Sequence, residues 1–394
     1  MMHKTTLNNM PGSNIIRTRW RHIETGPLED LPPSFFVDKD LPNSTQARFS
    51  PKNEYAIWTH PSLLTSRQSV AQNVSAFGLL SPASAGKKSE DAPPLFGFVT
   101  NQINVHVTAA VFDGMGGAGS EVYKFGENRA TEAYLASRLA RKVLENILWE
   151  GGNNICVTAR TIKDKLWQCF EKYGFKIAEE SESKIRGQMD KKLPTTVASV
   201  TCKSTAENKW EICAQWAGDS RVYRLTPKLG LQQVTADDVD EFDPMSQLKG
   251  DHNLKNVISG SADFVINEKT LVVDTQTILV VTTDGLFNNL PTPGSLEYIL
   301  LDAMRDSEFD TVHALASLAR LISHDDVSFV VIALGFANFR DIPIVFRSRK
   351  KYLEEMNYAD LFLMSPLEET NIKISERLWN FEKKNYLGLI RDEC

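Results

Sequence analysis

Cysteine is scarce in this chain and never occurs in a closely spaced pair. The cysteines are Cys156, Cys169, Cys202, Cys213 and Cys394, an odd number with no Cys-x-x-Cys spacing. A disulfide framework and a zinc site both need grouped cysteines or histidines, so the sequence favours neither. We therefore expect reduced thiols and a cytoplasmic protein.

Long apolar runs are also missing. The run at residues 329–337 is far shorter than the ~20 residues that cross a bilayer. The first residues, MMHKTTLNNMPGSN, contain no apolar stretch of the kind that a signal peptide carries. We therefore expect no membrane span.

Positive charge is not in excess. There are 44 Lys and Arg residues against 50 Asp and Glu, which gives a formal net charge of −6. Affinity for phosphate backbones needs clustered cations, so this balance argues against a nucleic-acid partner and against an anionic-membrane binder. A nuclease would need the same cationic surface.

The chain divides into three parts. Prolines concentrate at the start, at Pro11, Pro27, Pro32, Pro33, Pro42, Pro51 and Pro61. Because proline fixes φ and lacks a donor, residues 1–73 are predicted to be an extended lead segment. Residues 74–334 have the apolar periodicity of a folded domain, and residues 335–394 are predicted to form a helical extension.

Apolar periodicity within residues 74–334 predicts a mixture of strands and helices. Strands are expected at residues 103–112, 195–202, 210–216, 221–225, 271–283 and 327–334, and helices at 121–149, 162–178, 296–304 and 312–322. The strands gather in antiparallel-looking groups and the helices come in pairs. This pattern favours an α+β layered domain over a βαβ repeat.

The C-terminal extension contains two candidate helices, at residues 350–363 and 374–386. Ile374, Leu378 and Phe381 share a face of the second, so this helix should dock on something. Packing against its own domain and binding a partner protein are both open at this stage.

Four short acidic signatures stand at the ends of apolar strands. They are Glu90-Asp91, the turn at residues 113–117 (DGMGG), Thr283-Asp284-Gly285 and His324-Asp325-Asp326. Mg²⁺ and Mn²⁺ prefer oxygen ligands and need few carboxylates on rigid elements. Any one signature could be a plain turn. The four together indicate a divalent-cation site.

These motifs resemble, in order and spacing, the metal-dependent Ser/Thr protein phosphatases of the PPM, or type 2C, family. Besides the acidic signatures, residues 193–198 are similar to the family's GTTA segment with its glycine replaced, and residues 217–223 match its GDSR turn. The resemblance covers residues 74–334. It implies a four-layer α-β-β-α sandwich of two central antiparallel sheets, and phosphorylated proteins as substrates.

The resemblance also implies the site residue by residue. Two Mn²⁺ or Mg²⁺ ions would be bridged by Asp113, and one would take the Gly114 carbonyl. Asp284 and Asp325 would bind the other, Glu90 would act through a water, and Asp219 would help to hold a third ion. A water activated by the two metals would then attack phosphorus, with no phospho-enzyme.

Two positions depart from the family pattern. Gly86 stands where the family has a phosphate-binding arginine, and Lys87 or Lys88 could replace it as a point charge. Met115 stands where many members have a histidine that can donate a proton, and a methionine here is typical of bacterial members. The replaced arginine favours a rival hypothesis, a pseudophosphatase that binds phosphoproteins without turning them over.

Two further features lie beside the motifs. The acidic segment at residues 236–260 corresponds to the family's variable flap, and it would either repel acidic substrates or be a solvated loop. His252 and His324 adjoin the motifs, but an oxygen-ligated site rarely needs imidazole. We therefore expect structural roles for both histidines.

Overall fold

The computed structural model describes residues 46–49, 56–60, 74–84, 88–100, 105–125, 128–151, 157–180, 192–205, 209–240, 243–248, 253–274, 276–363 and 369–391. The strands in these ranges are β1 Gln46–Phe49, β2 Ala56–His60, β3 Val74–Ser81, β4 Leu95–Thr100, β5 Val105–Gly114, β6 Val122–Phe125, β7 Asn128–Thr131, β8 Thr195–Ser204, β9 Trp210–Ala217, β10 Arg221–Thr226, β11 Gly230–Gln233, β12 Asn267–Val273, β13 Thr277–Thr282 and β14 Val327–Leu334. The α-helices are α1 Glu132–Gly151, α2 Ala159–Glu180, α3 Ser295–Ala303, α4 Glu308–Ile322, α5 Ile342–Val345, α6 Arg347–Glu355, α7 Tyr358–Leu363, α8 Glu369–Tyr386 and α9 Gly388–Arg391.

Two antiparallel sheets form the centre of the described structure. The first has the strand order β1-β2-β3-β14-β13-β10-β11, and the second has the order β12-β9-β8-β5-β4. Strand β14 is buried along its whole length, whereas the edge strand β12 alternates between exposed and half-buried residues. The continuous apolar sequence of β14 follows from this position, because a central strand covered on both faces has no solvent side.

The sheets pack face to face, and helices cover both outer faces. The core between the sheets includes Ala76, Val111 and Val281, while α1 and α2 close the second sheet around Phe112 and Phe170. Helices α3 and α4 and the C-terminal helices cover the first sheet. The predicted α+β fold with four α-β-β-α layers is confirmed.

Three predicted elements were wrong in detail. The start of the helix predicted at 121–149 is a hairpin, β6–β7, whose facing Tyr123 and Ala130 are both buried. The strand predicted at 271–283 is two strands in different sheets, β12 and β13. The helix predicted at 350–363 breaks between α6 and α7, where Asn357 has a φ of +64°, which a continuous right-handed helix excludes.

The first sheet begins before Val74. Strand β2 pairs with β3 from Ala56 to His60, and β1 pairs with β2. The folded chain therefore starts before the boundary predicted at Val74. Prolines elsewhere in residues 1–73 do not prevent the backbone of these two strands from pairing. Residues 1–45 lie outside the described residues.

The C-terminal extension packs on its own chain. Leu378 is buried and Ile374 is partly buried against the core of the first sheet, but Phe381 is 67% exposed. The buried face of α8 is continued instead by Trp379 and Tyr386. The prediction that Phe381 shares the docking face was therefore wrong, and no separate partner is needed to cover Leu378.

Within the described ranges, no helix combines the length and the apolar composition that crossing a membrane requires.

Candidate metal centre

The acidic signatures meet at one end of the sandwich. Asp113 is the second-last residue of β5, Asp219 lies in the turn from β9 to β10, Asp284 follows β13, and Asp325 precedes β14. Glu90 and Asp91 lie between β3 and β4. The registers Ser81↔Val327, Thr282↔Phe329 and Arg221↔Thr282 place three of these strand ends side by side in the first sheet. The topology therefore brings together residues that are far apart in sequence.

The acidic pair at Glu90-Asp91 is held from both sides. The buried Asp91 carboxylate accepts a hydrogen bond from the Thr283 hydroxyl (2.9 Å), which ties it to the residue before Asp284. The Glu90 carboxylate accepts from the Thr131 hydroxyl (2.7 Å) and lies against Gly116, where any side chain would collide with it. The glycine of the DGMGG turn thus makes room for Glu90.

The Asp113-Gly114 turn is fixed by β8. The Thr195 hydroxyl donates to the Asp113 carbonyl (2.5 Å), and the Met115 amide donates to the Pro194 carbonyl (3.3 Å). A Cβ on Gly114 would lie 2.5 Å from the Glu90 carbonyl oxygen, so no side chain fits there. The segment that resembles GTTA therefore acts as the support of the aspartate turn.

The last two signatures interlock. Asp284 begins a single 3-10 turn and its carboxylate accepts from the Asn288 side-chain amide (2.7 Å). A Cβ on Gly285 would lie 1.9 Å from the Asp326 carbonyl oxygen, so this glycine permits the close approach of the two turns. Asp325 is exposed to solvent.

Asp326 and Thr283 are functional neighbours that the sequence reasoning did not single out. The Asp326 carboxylate accepts from the Ala83 amide (2.7 Å) and from the Glu90 amide (2.6 Å). It therefore holds the segment that carries the acidic pair. Both residues lie inside the recognised signatures, and a search for hydrogen-bonding groups next to each ligand would have found them.

The Asp219 turn is supported by the segment predicted as a flap. Asp238 accepts from the Gly218 amide (2.9 Å), and Gly218 has a φ of +97° that suits glycine. Asp237 is buried and pairs with Arg221. These two acids are therefore anchors of the turn, contrary to the expectation of a solvated loop.

Burial and mutual repulsion dominate the electrostatics of the cluster. Burial, followed by the charges of Asp91 and Asp284, raises the pKa of Asp113 well above its usual range. Burial and then Asp326 do the same to the pKa of Asp91, and burial and then Asp284 raise the pKa of Asp219. Burial also raises the pKa of Glu90. A cation bound among these groups would relieve the repulsion that a proton otherwise relieves.

The donor set suits a hard divalent cation. It consists of carboxylate and carbonyl oxygens, and one buried oxygen of Asp219, Oδ1, has no hydrogen-bond partner among the described residues. In the described ranges, no three His, Cys, Asp or Glu side chains are already close enough together to enclose one ion. Glu90, Asp113, Asp219, Asp284 and Asp325 remain the residues that could hold metal, with the Gly114 carbonyl.

The positively charged side chains considered for phosphate binding near the acidic cluster differ in their exposure. Lys88 is exposed and its Nζ lies 5.7 Å from the centre of the Tyr134 ring, at the start of α1. Lys87 and Gly86 lie outside the described residues, as does His252. Arg221 is completely buried, so it cannot reach a substrate phosphate. His324 is exposed.

Comparison with known proteins gives a likeness to solved structures alone. No protein-family model matches the chain, and no curated protein sequence matches it. Among solved structures, the Mycobacterium tuberculosis serine/threonine phosphatase PstP/Ppp is 17% identical with a TM-score of 0.45, covering 67% of this chain and 99% of that one.

Two further solved structures are similar to the same extent. The PstP catalytic domain in complex with two manganese ions is 15% identical (TM-score 0.45, 67% of this chain, 99% of that chain). Stp1 from Staphylococcus aureus is 17% identical (TM-score 0.48, 66% of this chain, 95% of that chain). All three solved structures are described as serine/threonine phosphatases.

Proposed function

We propose that the chain is a metal-dependent protein serine/threonine phosphatase that hydrolyses phosphoserine and phosphothreonine in cytoplasmic signalling. The observation that carries this proposal is the convergence of five acidic positions at one end of a two-sheet sandwich, with raised pKa values for Asp113 and Asp219. A cluster of carboxylates without thiols suits Mg²⁺ or Mn²⁺.

Each acidic residue has a part in holding metal. Asp113 would bridge two ions, with the Gly114 carbonyl on one and with Asp284 and Asp325 on the other. Glu90 would contribute through a water, and Asp219 would help to hold a third ion. When bound, the ions supply activation of water and neutralise charge on the transferring phosphoryl group.

The surrounding residues orient these ligands. Thr283 fixes Asp91, and Asp326 fixes the backbone of Glu90, so that the acidic pair and the two later signatures keep one relative position. Replacing a group of this kind, which contacts a metal ligand and not the substrate, commonly lowers metal affinity or activity by about 10–100-fold. Met115 has no proton to donate, so solvent or another residue must protonate the leaving alkoxide.

Removal of metal tests the proposal directly. We expect phosphate release from a phosphothreonine peptide to require added Mn²⁺ or Mg²⁺, and to fall to the no-enzyme background in EDTA, because oxygen ligands and waters hold such ions weakly. Excess Mn²⁺ should restore the rate, and circular dichroism should show that the fold survives chelation. Full activity after exhaustive chelation would exclude the two-metal mechanism.

Lys87 and Lys88 are the proposed replacements for the missing phosphate-binding arginine. Replacing both by alanine should raise KM for the phosphopeptide by roughly 10-fold, the loss of one hydrogen bond to a charged group worth about 1.5 kcal/mol. The kcat should fall less, because a ground-state contact contributes largely uniform binding.

Lys228 provides the matched control for the two lysines. It is an exposed lysine in the turn from β10 to β11, at the opposite end of β10 from the acidic cluster, so Lys228→Ala should change neither constant. Unchanged kinetics in the Lys87/Lys88 double variant would show that neither lysine binds the phosphate.

A phosphoprotein-binding module without turnover is the second candidate function. It is favoured by Gly86 at the arginine position and by the complete burial of Arg221, which leaves that arginine unable to substitute. The two functions separate in one assay, because the binding module would retain a phosphopeptide in the presence of Mn²⁺ without releasing phosphate.

A further inference from the structure

A row of aromatic rings joins the C-terminal extension to the candidate metal centre. Tyr386, at the end of α8, stacks edge-on against Trp379 of the same helix, with ring centres 5.4 Å apart. Its other neighbour is Tyr223 of β10, at 6.2 Å, and Tyr223 in turn meets Phe287 at 6.3 Å. All four rings are buried, so the row is part of the core.

Hydrogen bonds follow the same route. The Tyr386 hydroxyl donates to the Tyr223 hydroxyl oxygen (3.4 Å), and Arg221 Nη1 donates to the same oxygen (3.0 Å). Arg221 also donates to the Asp237 carboxylate from Nε (2.9 Å) and from Nη2 (2.6 Å), and Nη2 donates to the Gln247 side-chain oxygen (3.0 Å). Tyr223 therefore limits where the guanidinium can lie.

The route ends at two of the acidic turns. The Phe287 amide donates to the Asp284 carbonyl (2.9 Å), and the Arg221 guanidinium lies 3.8 Å from the centre of the Phe287 ring. Arg221 is two residues after Asp219, and its partner Asp237 precedes the residue that holds Gly218. The aromatic row thus contacts the supports of both Asp219 and Asp284.

We propose that Tyr386 is a positioning residue of the candidate metal centre, and that the C-terminal extension is part of the active-site scaffold. Through Tyr223 it fixes Arg221, and through Arg221 it fixes the Asp219 turn and the neighbouring residues 234–240 and 243–248. The metal-related part of this inference rests on the proposed function. Its structural part does not, since it concerns contacts within this chain.

Hydrogen exchange of the full-length protein tests the structural part. The readout is the exchange of the amides of Val234, Asp238 and Gln247, which donate to the carbonyls of Val222, Gly218 and Asp243 respectively. Tyr386→Leu should speed their exchange by about 10-fold, and Tyr386→Phe, which keeps the ring, should speed it less. The Tyr386→Phe variant also decides the matter if Tyr386→Leu does not fold, since it removes one hydroxyl from an intact core.

Two control variants separate positioning from general loosening. Phe381→Ala removes an exposed ring from the same helix, outside the row, and should change nothing. Leu353→Ala removes a fully buried side chain of α6, which packs on α3, α5 and α7, and so lowers the stability of the extension without altering the aromatic row. When Leu353→Ala and Tyr386→Leu are compared at matched thermal midpoint, the amides of residues 234–240 and 243–248 should exchange more slowly in Leu353→Ala than in Tyr386→Leu.

Calorimetric titration with Mn²⁺ tests the metal-related part without an activity assay. Tyr386→Leu should raise the Kd for Mn²⁺ several-fold, with Phe381→Ala unchanged. Exchange in residues 234–240 and 243–248 that is unchanged in the Tyr386 variants, or that rises equally in Leu353→Ala, would overturn the inference. If the wild type binds no Mn²⁺, the proposed function fails, while the exchange result still decides whether Tyr386 positions the turn.

Discussion

Replacing Asp113 by asparagine should abolish phosphatase activity while leaving the protein folded. Asp113 is the proposed bridge between two ions, a role that needs full negative charge as well as position. Loss of a group that only supports a metal ligand costs about 10–100-fold, so we expect loss of the bridge to cost at least 100-fold in kcat. Asp284→Asn should behave in the same way.

The fold should survive because the substitution removes a repulsive charge. The pKa of Asp113 is raised by burial and then by Asp91 and Asp284, so the ionised carboxylate is unfavourable when no metal is bound. We therefore expect the thermal midpoint of Asp113→Asn in EDTA to equal or exceed that of the wild type. With Mn²⁺ the order should reverse, because only the wild type gains binding energy from the ion.

Asp240→Asn is the control for these variants. Asp240 is an exposed carboxylate that pairs with Lys255 at 3.0 Å, outside the acidic cluster, so its neutralisation should affect neither activity nor the Mn²⁺-dependent shift in midpoint. Retention of more than a tenth of the wild-type rate by Asp113→Asn or Asp284→Asn would refute the ligand assignment.

The location of the candidate site could be predicted from the sequence because its chemistry is local. Each acidic signature is a carboxylate beside a residue that allows a sharp turn at the end of an apolar strand. Gly114 and Gly285 are needed for close approaches to backbone carbonyls that no side chain would permit. The four-layer fold followed from the same motifs, through their resemblance to a family.

What sequence reasoning missed depends on contacts between distant segments. Asp237 and Asp238 resemble solvated acids in the sequence, but in the structure Asp237 pairs with Arg221 and Asp238 accepts from the Gly218 amide, which makes them anchors. Helical periodicity places Phe381 on the same face as Leu378. In the structure, α8 packs on β11, and Leu378, Trp379 and Tyr386 are buried while Phe381 is exposed.

The predicted boundaries of helices and strands were wrong where one apolar pattern is compatible with two secondary structures. Residues 122–131 carry enough apolar side chains to extend helix α1, but Tyr123 and Ala130 face each other across a hairpin. Residues 271–283 were predicted as one long strand, yet Val273 pairs with β9 in one sheet and Thr277 with β14 in the other. Periodicity identifies a strand but does not say which sheet contains it.

Arg221→Met should be the most destabilising single substitution near the centre. Arg221 is completely buried, and it donates to Asp237, Tyr223 and Gln247. Methionine fills much of the same space but removes the cation that pairs with the buried Asp237 carboxylate, which still accepts a hydrogen bond from the Gln233 side chain (3.1 Å). Breaking a buried pair in this way costs about 3–5 kcal/mol, which urea unfolding followed by circular dichroism would measure.

A second substitution shows whether the loss of stability in Arg221→Met comes from the unpaired charge of Asp237. In Arg221→Met/Asp237→Leu both charges are gone, and apolar replacement of a whole buried pair is often neutral or better. We therefore expect the double variant to recover at least half of the stability that Arg221→Met loses. Activity should not recover with it, because the guanidinium also holds Gln247 and stacks on Phe287 beside Asp284.

Arg221→Lys separates charge from geometry. Lysine keeps the positive charge near Asp237, but it replaces the three fixed guanidinium nitrogens that reach Asp237, Tyr223 and Gln247 by one nitrogen. Its loss of stability should therefore be smaller than that of methionine, while its loss of activity remains. A loss below 1 kcal/mol in Arg221→Met would show that Asp237 finds other partners. The buried pair would then be dispensable to the support of the Asp219 turn.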